Sequence, residues 1–125
     1  MKLTENFSLK EFESKDGAEM PSDVLENIKE LSVNLQVLRD EIGVPIKINS
    51  GYRSPAHNKA IGGVKFSQHT LGKAADLYVK GMEPKELHAV IENLIKNGKM
   101  QEGGLGLYTS FVHYDVRNKK ARWTY

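Results

Sequence analysis

Residues 22–49 read SDVLENIKELSVNLQVLRDEIGVPIKIN, and this stretch predicts a helix followed by a strand. Its apolar side chains recur at intervals of three and four residues, which places them on one face of a helix. They are Leu25, Ile28, Leu31, Leu35, Leu38 and Ile42. Ser22 is the expected cap and Gly43 the expected end of this helix. The alternating residues 45–49 then predict a strand of the sheet that the helix covers.

The rest of the chain continues this mixture of helices and strands. Residues 54–61 predict a short helix with serine at the cap and proline in the first turn, and residues 84–98 predict a second amphipathic helix. Further strands are expected at 74–80, 105–107, 111–117 and 121–125, and a tight turn at 118–120 would make the last two a hairpin. Residues 1–20 form an arm whose Phe7, Leu9 and Phe12 pack on the core. These patterns predict an α+β fold, with a small, mostly antiparallel sheet and helices packed on one face.

Length and composition narrow the possible functions. The 125 residues predict a single domain, which we expect to be monomeric. Lys and Arg number 18 and Asp and Glu 16, and this balance argues against a nucleic-acid partner or a polybasic membrane patch. No run approaches the roughly 18 apolar residues of a membrane span, so no membrane insertion is expected. The absence of cysteine excludes disulfide frameworks, thiolate metal sites and cysteine nucleophiles, and it leaves the redox compartment open.

A few polar residues stand where their chemistry needs an explanation. Asp76 lies near the head of an apolar strand, where a carboxylate is costly to bury unless it is paired or bound to a metal. His69 precedes it by seven residues, and Gly72 between them lets the chain turn back towards Asp76. In the strand at 111–117, His113 and Asp115 share one face. Two histidines and an aspartate, with a fourth position for water, describe a catalytic zinc site, and a buried His–Asp hydrogen bond is the alternative.

These residues belong to motifs that resemble those of the zinc D-Ala-D-Ala peptidases. The motifs are SGYRSP at 50–55, Asn58, Gly62-Gly63, SxHxxGxAxD at 67–76 and HxD at 113–115. The family includes peptidoglycan D,D-carboxypeptidases and murein endopeptidases, among them phage endolysins that cleave L-Ala–D-Glu bonds. The resemblance covers essentially the whole chain and implies the hedgehog-type metallopeptidase fold.

The resemblance also implies roles for individual residues. It implies that Zn²⁺ is bound by His69, Asp76 and His113. Arg53 matches an arginine beside the metal, which would bind a substrate carboxylate or stabilise the oxyanion. It further implies hydrogen bonds to substrate from Ser67 and Gln68, for which capping or turn roles are the alternative.

One position departs from the family pattern. Many members carry a glutamate or aspartate, the general base, three residues before the last metal ligand, and this chain has Ser110 there. A serine cannot serve as that base at neutral pH. Asp115 is the nearest carboxylate, and it would act as the base or would orient the attacking water or His113. Glu102 is a reserve candidate.

The function implied is a zinc-dependent peptidase that hydrolyses peptidoglycan stem peptides, as a D,D-carboxypeptidase or as an endopeptidase. Two alternatives are an inactive module of the same fold that binds metal and cell-wall peptides, and a structural or interaction domain without metal. The N-terminal residues MKLTENFSLKEF lack the apolar core of a signal peptide. We therefore expect a protein that is cytoplasmic until it is released, in phage lysis or from a host cell, to act on the cell wall.

Overall fold

Three α-helices and five β-strands form the fold in the computed structural model, which describes residues 1–125. The helices are α1 (Ser22–Ile42), α2 (Pro55–Ala60) and α3 (Pro84–Lys96). The strands are β1 (Lys47–Ser50), β2 (Ala74–Tyr78), β3 (Gly104–Leu107), β4 (Val112–Asp115) and β5 (Ala121–Thr124). Two short 3-10 helices lie at Leu9–Phe12 and Gln68–Leu71. The predicted α+β class is confirmed, and none of the helices is both long and apolar enough to cross a bilayer.

The five strands form one sheet in the order β1-β2-β4-β3-β5. All neighbouring pairs are antiparallel except β3 and β5, which run parallel. The predicted hairpin between the last two strands is therefore wrong. Strand β4 already has β2 and β3 on its two edges, so β5 pairs with the outer edge of β3 instead. The hairpin that does form joins β3 to β4, and the amide of Tyr108 donates to the carbonyl of Phe111 at 3.1 Å in its turn.

Helix α1 covers the sheet as predicted, with two differences at its first turn. It begins at Ser22 itself, Pro21 occupies the cap position, and no side chain caps the helix. The first turn buries Val24, whereas Leu25 is only partly buried. The rest of the predicted stripe is buried and consists of Ile28, Leu31, Leu35 and Leu38. Ile42, at the end of the stripe, is partly buried. Gly43 ends the helix with a left-handed φ of 70°, a conformation that glycine adopts without steric cost.

The N-terminal arm packs on the core as expected. Phe7 and Phe12 are both buried, with their ring centroids 6.1 Å apart. The carbonyl of Phe12 accepts a hydrogen bond from the amide of Tyr52 at 2.8 Å. A side chain at Gly51 would bring a Cβ within 2.7 Å of the Cα of Phe12, so only glycine permits this approach. The arm therefore supports the segment that leads from β1 into α2.

The two faces of the sheet have different roles. One face contributes Leu77, Val112 and Tyr114 to the core that α1 and α3 complete. Because side chains alternate along a strand, Asp76 and His113 point to the opposite face. These two residues are directly paired across β2 and β4. The sheet thus separates a hydrophobic core from a polar site.

Candidate metal centre

Three side chains from distant parts of the sequence meet on the polar face of the sheet. His69 comes from the second 3-10 helix, Asp76 from β2 and His113 from β4. The Nε2 atom of His69 and the Nδ1 atom of His113 each lie 3.2 Å from Oδ1 of Asp76. One nitrogen or oxygen atom from each residue lies within 4.8 Å of the others, and all three residues are buried. The structure thus brings together the three residues that the sequence singled out as metal ligands.

The sequence around His69 sets the direction of this side chain. The hydroxyl oxygen of Ser67 caps the 3-10 helix by accepting a hydrogen bond from the amide of His69 at 3.2 Å. Gly72 ends the same helix with a left-handed φ of 77° and returns the chain into β2. A Cβ at Gly72 would lie 2.7 Å from Cγ1 of Val24 in α1. A capped turn that packs against α1 therefore requires serine, histidine and glycine at the spacing of Ser67, His69 and Gly72.

Hydrogen bonds assign the protonated nitrogen of each imidazole. Nδ1 of His69 lies 2.8 Å from the carbonyl oxygen of Gly51, an acceptor, so this nitrogen carries the hydrogen. Nε2 of His113 lies 2.7 Å from Oδ2 of Asp115, another acceptor, and donates to it. In neutral imidazoles, the lone pairs of the opposite nitrogens then face Oδ1 of Asp76, which can only accept. Three hydrogen-bond acceptors thus converge on one point, and a cation bound between them would satisfy all three.

The chemistry of these donors fits zinc. Two neutral imidazole nitrogens and one carboxylate oxygen are ligands that Zn²⁺ commonly takes in catalytic sites. Each imidazole also donates its other N–H to a carbonyl or a carboxylate, the arrangement that fixes histidine ligands in zinc proteins. The residues present therefore fit the metal that the sequence predicted.

The carboxylate of Asp76 and the imidazole of His113 shift each other's ionisation. Burial by itself would raise the pKa of Asp76. Hydrogen bonds from His113 and His69, which form when the nitrogen facing Asp76 is protonated, outweigh burial and hold this pKa well below its usual range. Burial would lower the pKa of His113, but its hydrogen bonds to Asp115 and Asp76 reverse the direction and raise this pKa. A proton and a metal ion therefore compete for the same place between His113 and Asp76.

Arg53 is held beside the second oxygen of Asp76. Its Nη2 donates to Oδ2 of Asp76 at 3.2 Å, its Nε to Oγ of Ser50 at 3.0 Å, and its Nη1 to Oδ1 of Asn58 at 3.3 Å. A guanidinium has five N–H groups, so one on each terminal nitrogen has no partner within the chain. Arg53 thus leaves Oδ1 of Asp76 available for the metal and keeps two donors.

Asp115 lies behind His113 and is fully buried. Its carboxylate accepts hydrogen bonds from Nε2 of His113 at 2.7 Å, from the amide of Gly104 at 2.8 Å, and from Nε and Nη2 of Arg117 at 2.9 and 2.8 Å. Burial would raise the pKa of Asp115, but the hydrogen bonds from His113 and Arg117 lower it further than burial raises it. Asp115 therefore reaches the metal centre only through His113.

A cavity of about 390 Å³ opens over the three candidate ligands. Arg53, Ser67 and Gln68 line it. The only carboxylate in its lining is that of Asp76. Neither Ser110 nor Glu102 lines the cavity, and Glu102 instead accepts from Nη2 of Arg122 at 2.8 Å.

An aromatic wall, formed by Tyr108, Phe111 and Trp123, completes the cavity and was missed by sequence reasoning. The ring centroids of Trp123 and His113 lie 5.0 Å apart, and Trp123 donates its Nε1–H to the hydroxyl of Tyr108 at 3.0 Å. Tyr108 stacks on Phe111 with 4.3 Å between ring centroids. A Cβ at Gly106 would overlap the indole of Trp123, so this glycine makes room for it. Glycines within a strand mark such close approaches, and GGLGL at 103–107 was the available signal.

Comparison with family models identifies the family of this chain. No curated protein matched the chain. The profile of the Peptidase M15 family matches residues 3–115, which contain the three candidate ligands and Arg53. The peptidases of this family are zinc enzymes. This match confirms the resemblance seen in the sequence, and the chain belongs to the Peptidase M15 family.

Proposed function

We propose that this protein is a zinc-dependent peptidase that hydrolyses peptide bonds in the stem peptides of peptidoglycan. The observation that carries this proposal is the convergence of three acceptor atoms, from His69, Asp76 and His113, at the base of a cavity. Zinc supplies a Lewis acid at such a site, which polarises a peptide carbonyl and lowers the pKa of water. The stem-peptide substrate follows from the resemblance of the motifs to the D-Ala-D-Ala peptidases.

The ligands are kept in position by their hydrogen-bond partners. The carbonyl of Gly51 fixes His69, and the carboxylate of Asp115 fixes His113. Because Asp115 is fully buried and saturated with hydrogen bonds, its position favours the orientation of His113 over direct proton transfer from water.

Arg53 and Gln68 would bind the substrate. The two unpartnered N–H groups of Arg53 can bind a substrate carboxylate or the negative charge that develops on the carbonyl oxygen. The side-chain amide of Gln68 can hydrogen-bond a peptide backbone. Ser67 already accepts the capping hydrogen bond of the 3-10 helix, and its hydroxyl hydrogen is left for a substrate acceptor.

One observation favours a second candidate function. The cavity contains no carboxylate apart from the candidate ligand Asp76, so no side chain stands in the usual place of the general base. A module of this fold that binds metal and cell-wall peptides without hydrolysing them would have the same ligands and the same cavity.

The two functions differ in the release of amino groups from purified peptidoglycan sacculi. We expect the zinc-loaded protein to release new amino groups, and we expect His69→Ala to abolish both zinc binding and release. His88→Ala is the matched control, because His88 lies on α3 outside the cavity, and this variant should keep full activity. Identification of the products distinguishes the two kinds of peptidase, because a carboxypeptidase releases free D-alanine and an endopeptidase releases larger peptides. Zinc-dependent binding to sacculi without release would establish the binding module instead, and undiminished release by His69→Ala would contradict both.

A further inference from the structure

Phe66, which lies between α2 and the second 3-10 helix, is unfavourable in both its solvent exposure and its backbone conformation. Its side chain is 84 % exposed, and its backbone φ of 63° makes it the only non-glycine residue of the chain with positive φ. Left-handed backbone is disfavoured for a bulky residue, and exposure of an aromatic ring gains nothing from the hydrophobic effect. Unfavourable conformations of this kind concentrate at functional sites.

Phe66 lies between two cavities. It lines the metal cavity and also a neighbouring cavity of about 590 Å³, which we call the lysine cavity. This volume is in the range of sites that bind small ligands. Asn58 lines the lysine cavity and links it to the metal centre, because Oδ1 of Asn58 accepts from Arg53 and Nδ2 donates to the carbonyl of Val64 at 2.9 Å. The two cavities are therefore neighbouring parts of one binding surface, separated by the ring of Phe66.

The lysine cavity carries positive charge without a counter-charge. Its only charged lining residues are Lys59 and Lys65, and neither forms an ion pair within the chain. The ammonium group of Lys65 lies 5.3 Å from the ring centroid of Phe66. The two lysines of the lining offer attraction to an anion, and the exposed ring beside Lys65 offers an apolar surface for the chain that carries this anion.

We propose that the lysine cavity binds a carboxylate-bearing residue of the peptide substrate, with the peptide crossing Phe66 into the metal cavity. This inference rests on the proposed function and adds a determinant of substrate choice to it. The positive charge selects a free carboxylate over its amide, and the ring of Phe66 contacts the peptide between the two cavities.

The test compares two hydrolysis-resistant, N-methylated peptides that differ only in whether one side-chain carboxylate is free or amidated. Their binding to the zinc-loaded protein is measured by titration calorimetry. We expect Lys59→Ala/Lys65→Ala to weaken binding of the free-carboxylate peptide about tenfold, about 1.4 kcal/mol, and to leave the amidated peptide unaffected. Lys59→Arg/Lys65→Arg should retain the preference, and the exposed pair Lys80→Ala/Lys99→Ala is the distant control.

Other outcomes overturn the inference. Equal binding of the two peptides by the native protein would do so, and so would an equal loss for both peptides in the double alanine variant. A third arm uses vesicles of anionic phospholipid, and lysine-dependent binding to vesicles with no peptide preference would assign the cavity to a membrane surface instead. Because this assay measures binding to peptides that resist hydrolysis, its result is independent of the assay on sacculi. Carboxylate selectivity here, together with no release of amino groups from sacculi, would refute the peptidase and leave the lysine cavity supported.

Phe66 is tested by replacement with glycine. We expect Phe66→Gly to leave the melting temperature unchanged or higher, because glycine adopts positive φ without cost and the lost side chain is exposed. The same variant should bind both peptides more weakly. Unchanged peptide affinity in Phe66→Gly would remove the ring from the binding surface and overturn the path that we propose.

Discussion

At the scale of single residues, Asp115 contacts the candidate metal centre only through His113. It accepts from His113 and from Arg117, and an asparagine of the same size could not accept all of these hydrogen bonds. We expect Asp115→Asn to lower zinc affinity by about 10- to 100-fold, as loss of such supporting hydrogen bonds does. Competition with a chelator of known affinity measures the zinc affinity of this variant and of the native protein. Glu41→Gln, an exposed change of the same charge, is the control, and equal affinity in both variants would contradict the role of Asp115.

Gly106 provides a second test at the residue scale, because a Cβ there would overlap the ring of Trp123. We expect Gly106→Ala to displace the indole and to destabilise the fold by about 1–3 kcal/mol, the usual cost of overpacking. Trp123 is the only tryptophan, so its fluorescence reports on the wall of the cavity directly. Ser110→Ala, an exposed change in the neighbouring turn, should alter neither quantity. An unchanged emission spectrum in Gly106→Ala would show that the wall tolerates the extra carbon.

The residues of the site differ in how far the sequence could predict them. Asp76 was identifiable because a carboxylate in an apolar strand needs a partner, whatever the rest of the fold does. Trp123 was not, because it reaches His113 only through the parallel pairing of β5 with β3. The role of Asp115 depended on which nitrogen of His113 faces it, and only the three-dimensional arrangement supplies that.

At the scale of elements, the N-terminal arm is tied to α2 by a carboxylate. Asp16 accepts from the hydroxyl of Ser14 at 2.7 Å, from that of Ser54 at 2.6 Å and from the amide of Ala18 at 3.0 Å. These hydrogen bonds lower the pKa of Asp16 from its ordinary 3.8 to about 2. Because the pKa is lower in the folded state, this stabilisation is present above about pH 4 and is lost as the pH falls towards 2.

A variant can isolate the contribution of Asp16 to the pH dependence of stability. We expect Asp16→Asn to be less stable than the native protein at pH 5, and we expect the difference to shrink at pH 2.5. Urea denaturation of both proteins in the metal-free form measures it, and Glu13→Gln is an exposed control from the same arm. A difference that is constant between pH 5 and pH 2.5 would refute the assignment of the low pKa to Asp16.

The elements themselves were predictable where local pattern decides them. The intervals of three and four along α1, and the proline and glycine around α3, located both long helices. The hairpin of β4 and β5 was predicted wrongly, because a short connection indicates neighbours and cannot show that both edges of β4 are already paired. The cap of α1 was placed one residue late, because Pro21 supplies the extended backbone that the start of the helix requires.

At the scale of the whole molecule, metal binding and stability should be linked. A metal that binds only the folded chain stabilises it by about 2.7 kcal/mol when free zinc is at a hundred times its dissociation constant. We therefore expect zinc to raise the melting temperature by several degrees and a chelator to reverse the rise. His69→Ala should lose this response and His88→Ala should keep it. The rise should shrink at pH 5, since protons compete for His113, and a response that is independent of His69 would place the metal elsewhere.

The most direct test of the metal centre is anomalous X-ray diffraction from crystals of the zinc-loaded protein, measured above and below the zinc absorption edge. We expect one strong anomalous peak within bonding distance of Nε2 of His69, Oδ1 of Asp76 and Nδ1 of His113. A peak at another place, or none among these atoms in crystals that contain zinc, would contradict the assignment of these three side chains as its ligands.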